Sequence, residues 1–240
     1  DMSVFHRFFD EALDEARSEF GREYPLYINN QAVTVDAPLL DNTSPIDTRV
    51  LLGRFQGATK TEVDQAIAAA KAAYKPWARM PWEERVAILR NAAQIIRKRK
   101  FKIAAVMSLE VGKNRMESIG DAEESADLID YYCDQMADAN GYVQELNRIT
   151  PIETNTDVLR PYGVFACVAP FNFPMALSAG MSSAALVAGN TVVYKPATDT
   201  PWTGVLLYEI YRDAGFPPGV FNFITGRGSQ IGDHLTLHDD

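Results

Sequence analysis

The chain has 240 residues, 47% hydrophobic and 23% charged, a balance suited to one large globular domain or one domain with a smaller partner. Its formal net charge of −9 argues against nucleic-acid backbones and anionic membrane surfaces as partners. Its two cysteines, Cys133 and Cys167, are too few and too far apart for a disulfide framework or a metal-binding spacing, and they point to a reducing compartment.

In chain order, Phe5 to Phe20 is predicted as an amphipathic helix, with Phe5, Phe8, Phe9, Ala12, Leu13 and Ala16 at helical spacing. This start lacks the apolar core of a signal peptide. The expected location is therefore the cytoplasm, or the mitochondrial matrix if a transit peptide has been removed. "PLYINNQAV" is predicted as a strand, an Asn-Asn turn and a second strand. The turn-rich "DNTSPIDTRV" leads into a short strand, Val50 to Arg54. Thr59 and Glu62 form a capping-box pattern ahead of a helix with Val63, Ala66, Ile67 and Ala70 on one face. Pro81 opens a second helix that ends in "RKRK", a run suited to the negative end of the helix dipole. A third helix is expected from about Phe101 to Glu110, broken by "VGKN", and a fourth, long helix from about Arg115 to Ala139.

From Gly163 the pattern changes. "GVFACV" is a near-continuous apolar run, as expected of a parallel strand covered on both faces. The small-residue helix "MALSAGMSSAALVAG" follows; its segment Pro174 to Ala188 is the most apolar of the chain but too short and too rich in Ser, Gly and Ala to cross a bilayer. Then come strand "TVVYKP", helix "WTGVLLYEIYRDAG", strand "GVFNFI" and a last helix, "GSQIGDHLTLH". This alternation predicts an α/β fold, a Rossmann-like parallel sheet with flanking helices, preceded by N-terminal helices and short strands. The expected division is a helical part of the cofactor domain over 1–146, an extended excursion or oligomerisation segment over 147–162, and three strands of the sheet over 163–240.

Ligands of such sheets bind beyond the carboxyl ends of the strands. The three ends carry "APFNFP", "YKPATDTP" and "TGRGSQIG". Asn172, between Pro170 and Pro174, offers an amide that can donate to an oxyanion. The rival reading is an Asn that caps the helix beginning near Pro174. Lys195 ends a strand and is followed by Pro196; it reads as a cation for a ribose hydroxyl or phosphate, or as a lysine snorkelling from a sheet edge. Gly226, Gly228 and Gly232 approach a dinucleotide fingerprint, but Ile231 stands where that pattern needs glycine. The helix N-terminus there still suits an anion.

Taken together, "EVGK", "PFNFP", "AGNTVVYKPATDTP" and "AGFPPGVFNFITGRGSQIG" occur in an order and spacing that resemble the aldehyde dehydrogenase superfamily along essentially the whole chain. "EFGREYPLYINN" and "EVGKNRMESIGDAEESADLIDYYC" resemble its L-glutamate γ-semialdehyde dehydrogenase branch, which serves proline breakdown. Other semialdehyde dehydrogenases share most of the core motifs. The resemblance implies NAD(P)-dependent oxidation of a small aldehyde to a carboxylic acid by a homo-oligomer. It implies that Asn172 is the oxyanion-hole amide and that Ala169, Pro170 and Phe171 line the nicotinamide side. It further implies that Lys195 holds the adenosine ribose and that Gly228 and Gly232 lie beside the adenine and pyrophosphate. Thr198 falls where the family often has Glu or Ser; a Glu would repel a 2′-phosphate and Thr would not, which leaves NADP open beside NAD. Glu124 matches a carboxylate near the substrate's amino group, or else is a solvated helix face. The family's nucleophilic cysteine and its base glutamate lie beyond the stretch that corresponds to Asp240, so the catalytic domain is expected to be absent and this chain inactive alone. Cys167, inside the apolar run, is expected to be structural. The alternative is a non-catalytic nucleotide-binding or interaction module.

Overall fold

A computed structural model describes residues 1–240. Helix α1 (Met2–Ser18) is capped by Asp1 and buries Phe9, Ala12 and Ala16. Next come three short strands, β1 (Arg22–Tyr24), β2 (Leu26–Ile28) and β3 (Gln31–Val33), followed by β4 (Leu40–Thr43) and β5 (Leu51–Phe55). The predicted Asn-Asn turn joins β2 to β3 as an antiparallel pair. Asn29 and Asn30 both adopt left-handed backbone, at φ 53° and 57°, the conformation that a two-residue hairpin turn needs. The predicted capping box at Thr59 is present and starts α2 (Lys60–Arg79).

The two helices expected around residue 100 are one, α3 (Trp82–Val111). "RKRK" therefore lies in mid-helix rather than at a dipole end. Arg and Lys are good helix formers, so the run does not stop the helix, and acids on its neighbours flank it. Arg97 pairs with Asp127 and Asp130, Lys100 with Glu123, Arg99 with Asp213, and Lys102 with Glu15 and Glu19. Gly112, at φ 72°, ends α3 with a left-handed turn, and an Asn114–Glu117 capping box starts α4 (Arg115–Asp138).

The excursion expected over 147–162 begins earlier, as an antiparallel ribbon of β6 (Val143–Leu146) and β7 (Asn155–Val158). Ile149 and Ile152 at its tip are almost fully exposed. The chain then enters β8 (Val164–Val168), α5 (Ala176–Val187), β9 (Thr191–Lys195), α6 (Pro201–Ala214), β10 (Phe221–Phe223) and α7 (Gly228–Thr236).

Strands β8, β9 and β10 are parallel, as predicted, but the sheet has five strands in the order β3-β2-β10-β9-β8. The N-terminal region is thus not only helical: its β2–β3 hairpin extends the cofactor sheet, antiparallel to β10. A second sheet, β1-β5-β4, stands apart. Position in the sheet decides burial. Interior β9 is buried at every residue. β8 is an edge strand, so the expectation of cover on both faces is overturned: Phe165 and Val168 are exposed, and only Cys167 of β8 is buried. Alternate residues of β9 face two cores. Val192 and Tyr194 pack with α3, α4, α5 and α6, whereas Val193 packs with α2 and α7.

Candidate active site

The register of the parallel strands brings three loops to one edge. Val168 lies opposite Lys195, and the Ala169 amide donates to the Lys195 carbonyl at 3.0 Å. On the other side the Ile224 amide donates to the Tyr194 carbonyl at 3.0 Å. Ala169, Lys195 and Thr225 therefore stand nearly abreast, and the three following loops open beyond them, where sheets of this kind take ligands.

Lys195 is 4% exposed. It ends β9, an interior strand, which overturns the sheet-edge alternative. Its ammonium donates to the Pro196 carbonyl at 3.1 Å. Burial lowers its pKa, and no carboxylate offsets that cost. An ammonium has three donors, so two remain for an incoming oxygen. If that oxygen belongs to NAD, Lys195→Ala weakens NAD affinity by about 1–3 kcal/mol, the range for a charge-assisted hydrogen bond. Calorimetry on the complete enzyme checks this; unchanged affinity removes Lys195 from the cofactor site.

Thr198 is exposed on the next loop, in a cleft shared with Asn42, Pro196 and Gly226. At the third loop, Gly226 is required by packing. A Cβ there would lie 2.5 Å from Cδ1 of Ile231, whose side chain is buried among α2 and α7 residues. Ile231 thus takes the third glycine's place in the fingerprint for the sake of the core. Gly228 and Gly232 have open space where a Cβ would project. Gly228 is the first residue of α7, and no side chain caps that N-terminus. Free N–H groups at a helix start suit a phosphate. A buried, unpaired ammonium, an uncapped helix start and open glycines on one sheet edge fit a dinucleotide.

Asn172 is exposed, between the exposed rings of Phe171 and Phe173, with Pro170 half-buried and Ala169 buried behind it. The helix-cap alternative does not hold. A capping side chain at 172 would take the amide of residue 174 or 175. Residue 174 is proline and has no N–H. Asp121 on α4 accepts from the Ala176 amide at 2.7 Å. No side chain from the preceding loop caps α5, and the Asn172 amide is left for solvent or substrate. Glu124 is exposed on α4. It shares a face with Asp121, which holds the start of α5, and with Leu128, which lies against Gly180 of α5.

Both cysteines are buried, and burial pushes each thiol up to about 12, a setting that disfavours the thiolate.

Two buried carboxylates and one half-buried lysine that position these loops went unnoticed in the sequence. Glu110, at the end of α3, accepts from the Trp202 amide at 2.8 Å, the Thr203 amide at 2.8 Å and the Thr203 hydroxyl at 2.6 Å. It caps α6 and so fixes the loop after Lys195. Lys113 and Asp121 do the same for the loop that carries Asn172. Their one visible signal was "EVGK", a charged pair around a helix-ending glycine.

Comparison with known proteins agrees with this geometry. A family model described as "Aldehyde dehydrogenase family" matches residues 33–240. The 1-pyrroline-5-carboxylate dehydrogenase of Geobacillus sp. (strain WCH70) is 38% identical over 230 residues, which is 96% of this chain and 44% of that protein. A Thermus 1-pyrroline-5-carboxylate dehydrogenase solved with bound NAD superposes with a TM-score of 0.92 at 38% identity, covering 97% of this chain and 45% of that one. The NADP-dependent glyceraldehyde-3-phosphate dehydrogenase of Bacillus halodurans C-125, solved with NADP, gives a TM-score of 0.84 at 33% identity, covering 90% and 46%. The chain thus spans less than half the length of these relatives. Over the length that it does span, fold, strand-end loops and sequence agree with one lineage, and the chain belongs to the aldehyde dehydrogenase family.

Proposed function

We propose that residues 1–240 form the cofactor-binding and oxyanion-stabilising part of an enzyme that oxidises L-glutamate γ-semialdehyde to L-glutamate. NAD is the acceptor favoured here, with NADP second. The observation that carries this reading is the alignment of Ala169, Lys195 and Thr225, which sets a free amide, an unpaired buried ammonium and an uncapped helix start along one edge. The relative over 96% of this chain, a 1-pyrroline-5-carboxylate dehydrogenase, supports the choice of aldehyde. The neighbour with bound NAD supports the acceptor. The neighbour with NADP, together with the uncharged Thr198, keeps the second acceptor in view.

The roles divide by chemistry. When bound, the nicotinamide cofactor supplies a hydride acceptor. Lys195 and Thr198 hold its ribose, Gly228 and Gly232 let the adenine and pyrophosphate approach the backbone, and Ala169, Pro170 and Phe171 form the wall beside the nicotinamide. Asn172 donates to the carbonyl oxygen of the aldehyde as negative charge builds there. Glu124 faces the substrate's ammonium. The nucleophilic thiolate and the base come from outside these residues, since both thiols here are buried and protonated. A homo-oligomer is the assembly that suits the β6–β7 ribbon, whose Ile149, Ile152 and Leu159 stand exposed.

Steady-state kinetics test the reading. The complete enzyme turns over glutamate γ-semialdehyde with a kcat/KM at least about tenfold above succinate semialdehyde, whereas residues 1–240 alone give no turnover. Equal or better use of succinate semialdehyde removes the substrate assignment. Turnover by the isolated chain returns Cys167 to the chemistry.

A further inference from the structure

The loop that carries Asn172 is held by a residue in a distant part of the sequence. Lys113 occupies the short link between α3 and α4, right after the left-handed Gly112 and before the Asn114 cap. The link is stiff. Gly112 and the capping box fix both ends, and the Ser108 and Ser118 hydroxyls meet at 2.9 Å to tie the two helices together. From this base the Lys113 ammonium reaches two partners. One is Asp121 Oδ2, at 2.7 Å, on a side chain with no exposure. The other is the face of the Phe173 ring, 3.7 Å from its centroid.

Both contacts end on the loop of Asn172. Phe173 is its neighbour in sequence. Asp121 turns its other oxygen to the Ala176 amide at 2.7 Å. The chain from Phe173 to Ala176 is thus pinned at two places by one ion pair. Pro174 adds its fixed φ between them. The Lys113 side chain is only 12% exposed, so water screens these interactions little. A surface lysine would not need such a setting, and a purely structural ion pair would not need to lie under an aromatic ring beside an unpartnered amide.

We propose that Lys113 is a positioning residue for aldehyde oxidation: through Asp121 and the Phe173 ring it fixes the loop that aims the Asn172 amide at the substrate oxygen. This rests on the reading of Asn172 as the oxyanion donor. A donor acts on the transition state only when preorganised, and an error of about 1 Å in placement costs up to about 10²-fold in rate.

The test uses the complete enzyme and five variants: Asn172→Ala, Lys113→Met, Lys113→Arg, Phe173→Leu, and Lys113→Met combined with Asn172→Ala. Each is assayed for kcat, for the KM values of NAD and aldehyde, and for melting temperature. Lys113→Met is expected to lower kcat by about 10- to 100-fold with the KM for NAD within a factor of about two. Lys113→Arg, which keeps a cation able to stack on the ring, recovers most of that loss. Phe173→Leu leaves the buried ion pair intact and lowers kcat by several-fold, so the idea stays testable if Lys113→Met does not fold. The double variant is no slower than Asn172→Ala alone, since both act through one amide. If Asn172→Ala keeps wild-type kcat, the reading of Asn172 fails and this proposal with it. If Asn172→Ala is slow but Lys113→Met and Phe173→Leu keep wild-type kcat, or if the Lys113 loss multiplies that of Asn172→Ala, the positioning role alone is overturned.

Discussion

With Asn172 in its proposed role of oxyanion donor, Asn172→Ala is expected to lower the kcat of the complete enzyme by roughly 10²–10³-fold, the usual loss for one such donor. Attack of a thiolate on the aldehyde turns a neutral carbonyl oxygen into an alkoxide. An amide N–H binds the alkoxide more tightly than the carbonyl, so the loss falls on kcat more than on KM. The structure adds a second expectation. Asn172 caps nothing: no side chain of its loop caps α5, and Asp121 accepts from the Ala176 amide. Removing its side chain therefore leaves the melting temperature within a degree or two, the small effect usual at exposed positions. NAD affinity is likewise expected to be unchanged, since the proposed ribose site lies one strand away at Lys195. Asn172→Asp is no better than alanine, because an ionised carboxylate repels the alkoxide. A kcat within a factor of about three of wild type, by steady-state assay, removes Asn172 from the chemistry.

Much of this geometry was legible in the sequence, and the reason is locality. The capping box at Thr59, the Asn29–Asn30 turn and the three parallel strands rest on residues a few positions apart, and all are present. The strand-end loops followed from the strand pattern alone. Illegible were the features set by partners far along the chain. The ion pairs along α3 join Arg97, Arg99, Lys100 and Lys102 to acids of α1, α4 and α6. The exposure of β8 depends on strand order, which an apolar run does not encode. The capping of α5 and α6 by Asp121 and Glu110 spans 55 and 92 positions. The sequence showed that something had to satisfy those helix starts, but not which residue did.

Glu110→Ala is expected to cost about 3 kcal/mol of stability, because it strands the amides of Trp202 and Thr203 and the Thr203 hydroxyl in a buried site at about 1–3 kcal/mol for a lost partner. For a chain of this size that is a fall of roughly 6–12 °C in melting temperature. The pH dependence has a definite sign. Burial is the largest influence on Glu110 and raises its carboxyl from 4.5 to about 7, against the pull of its three donors. Between those values the folded chain keeps a proton that the unfolded chain has released, so this group's contribution to stability falls as pH rises through that window. Glu110→Gln is neutral throughout and lacks that fall, but it turns an NH2 group against backbone donors. The variant is therefore less stable than wild type near pH 5, and the gap narrows toward pH 7.5. The functional readout is separate. With α6 uncapped, the Pro196–Thr200 loop beside Lys195 loosens, and the KM for NAD rises while kcat holds. A melting temperature for Glu110→Ala within about 2 °C of wild type would mean that water replaces the carboxylate. A gap between wild type and Glu110→Gln that stays constant from pH 5 to pH 7.5 would mean that Glu110 is already ionised at the lower pH, its three donors outweighing burial.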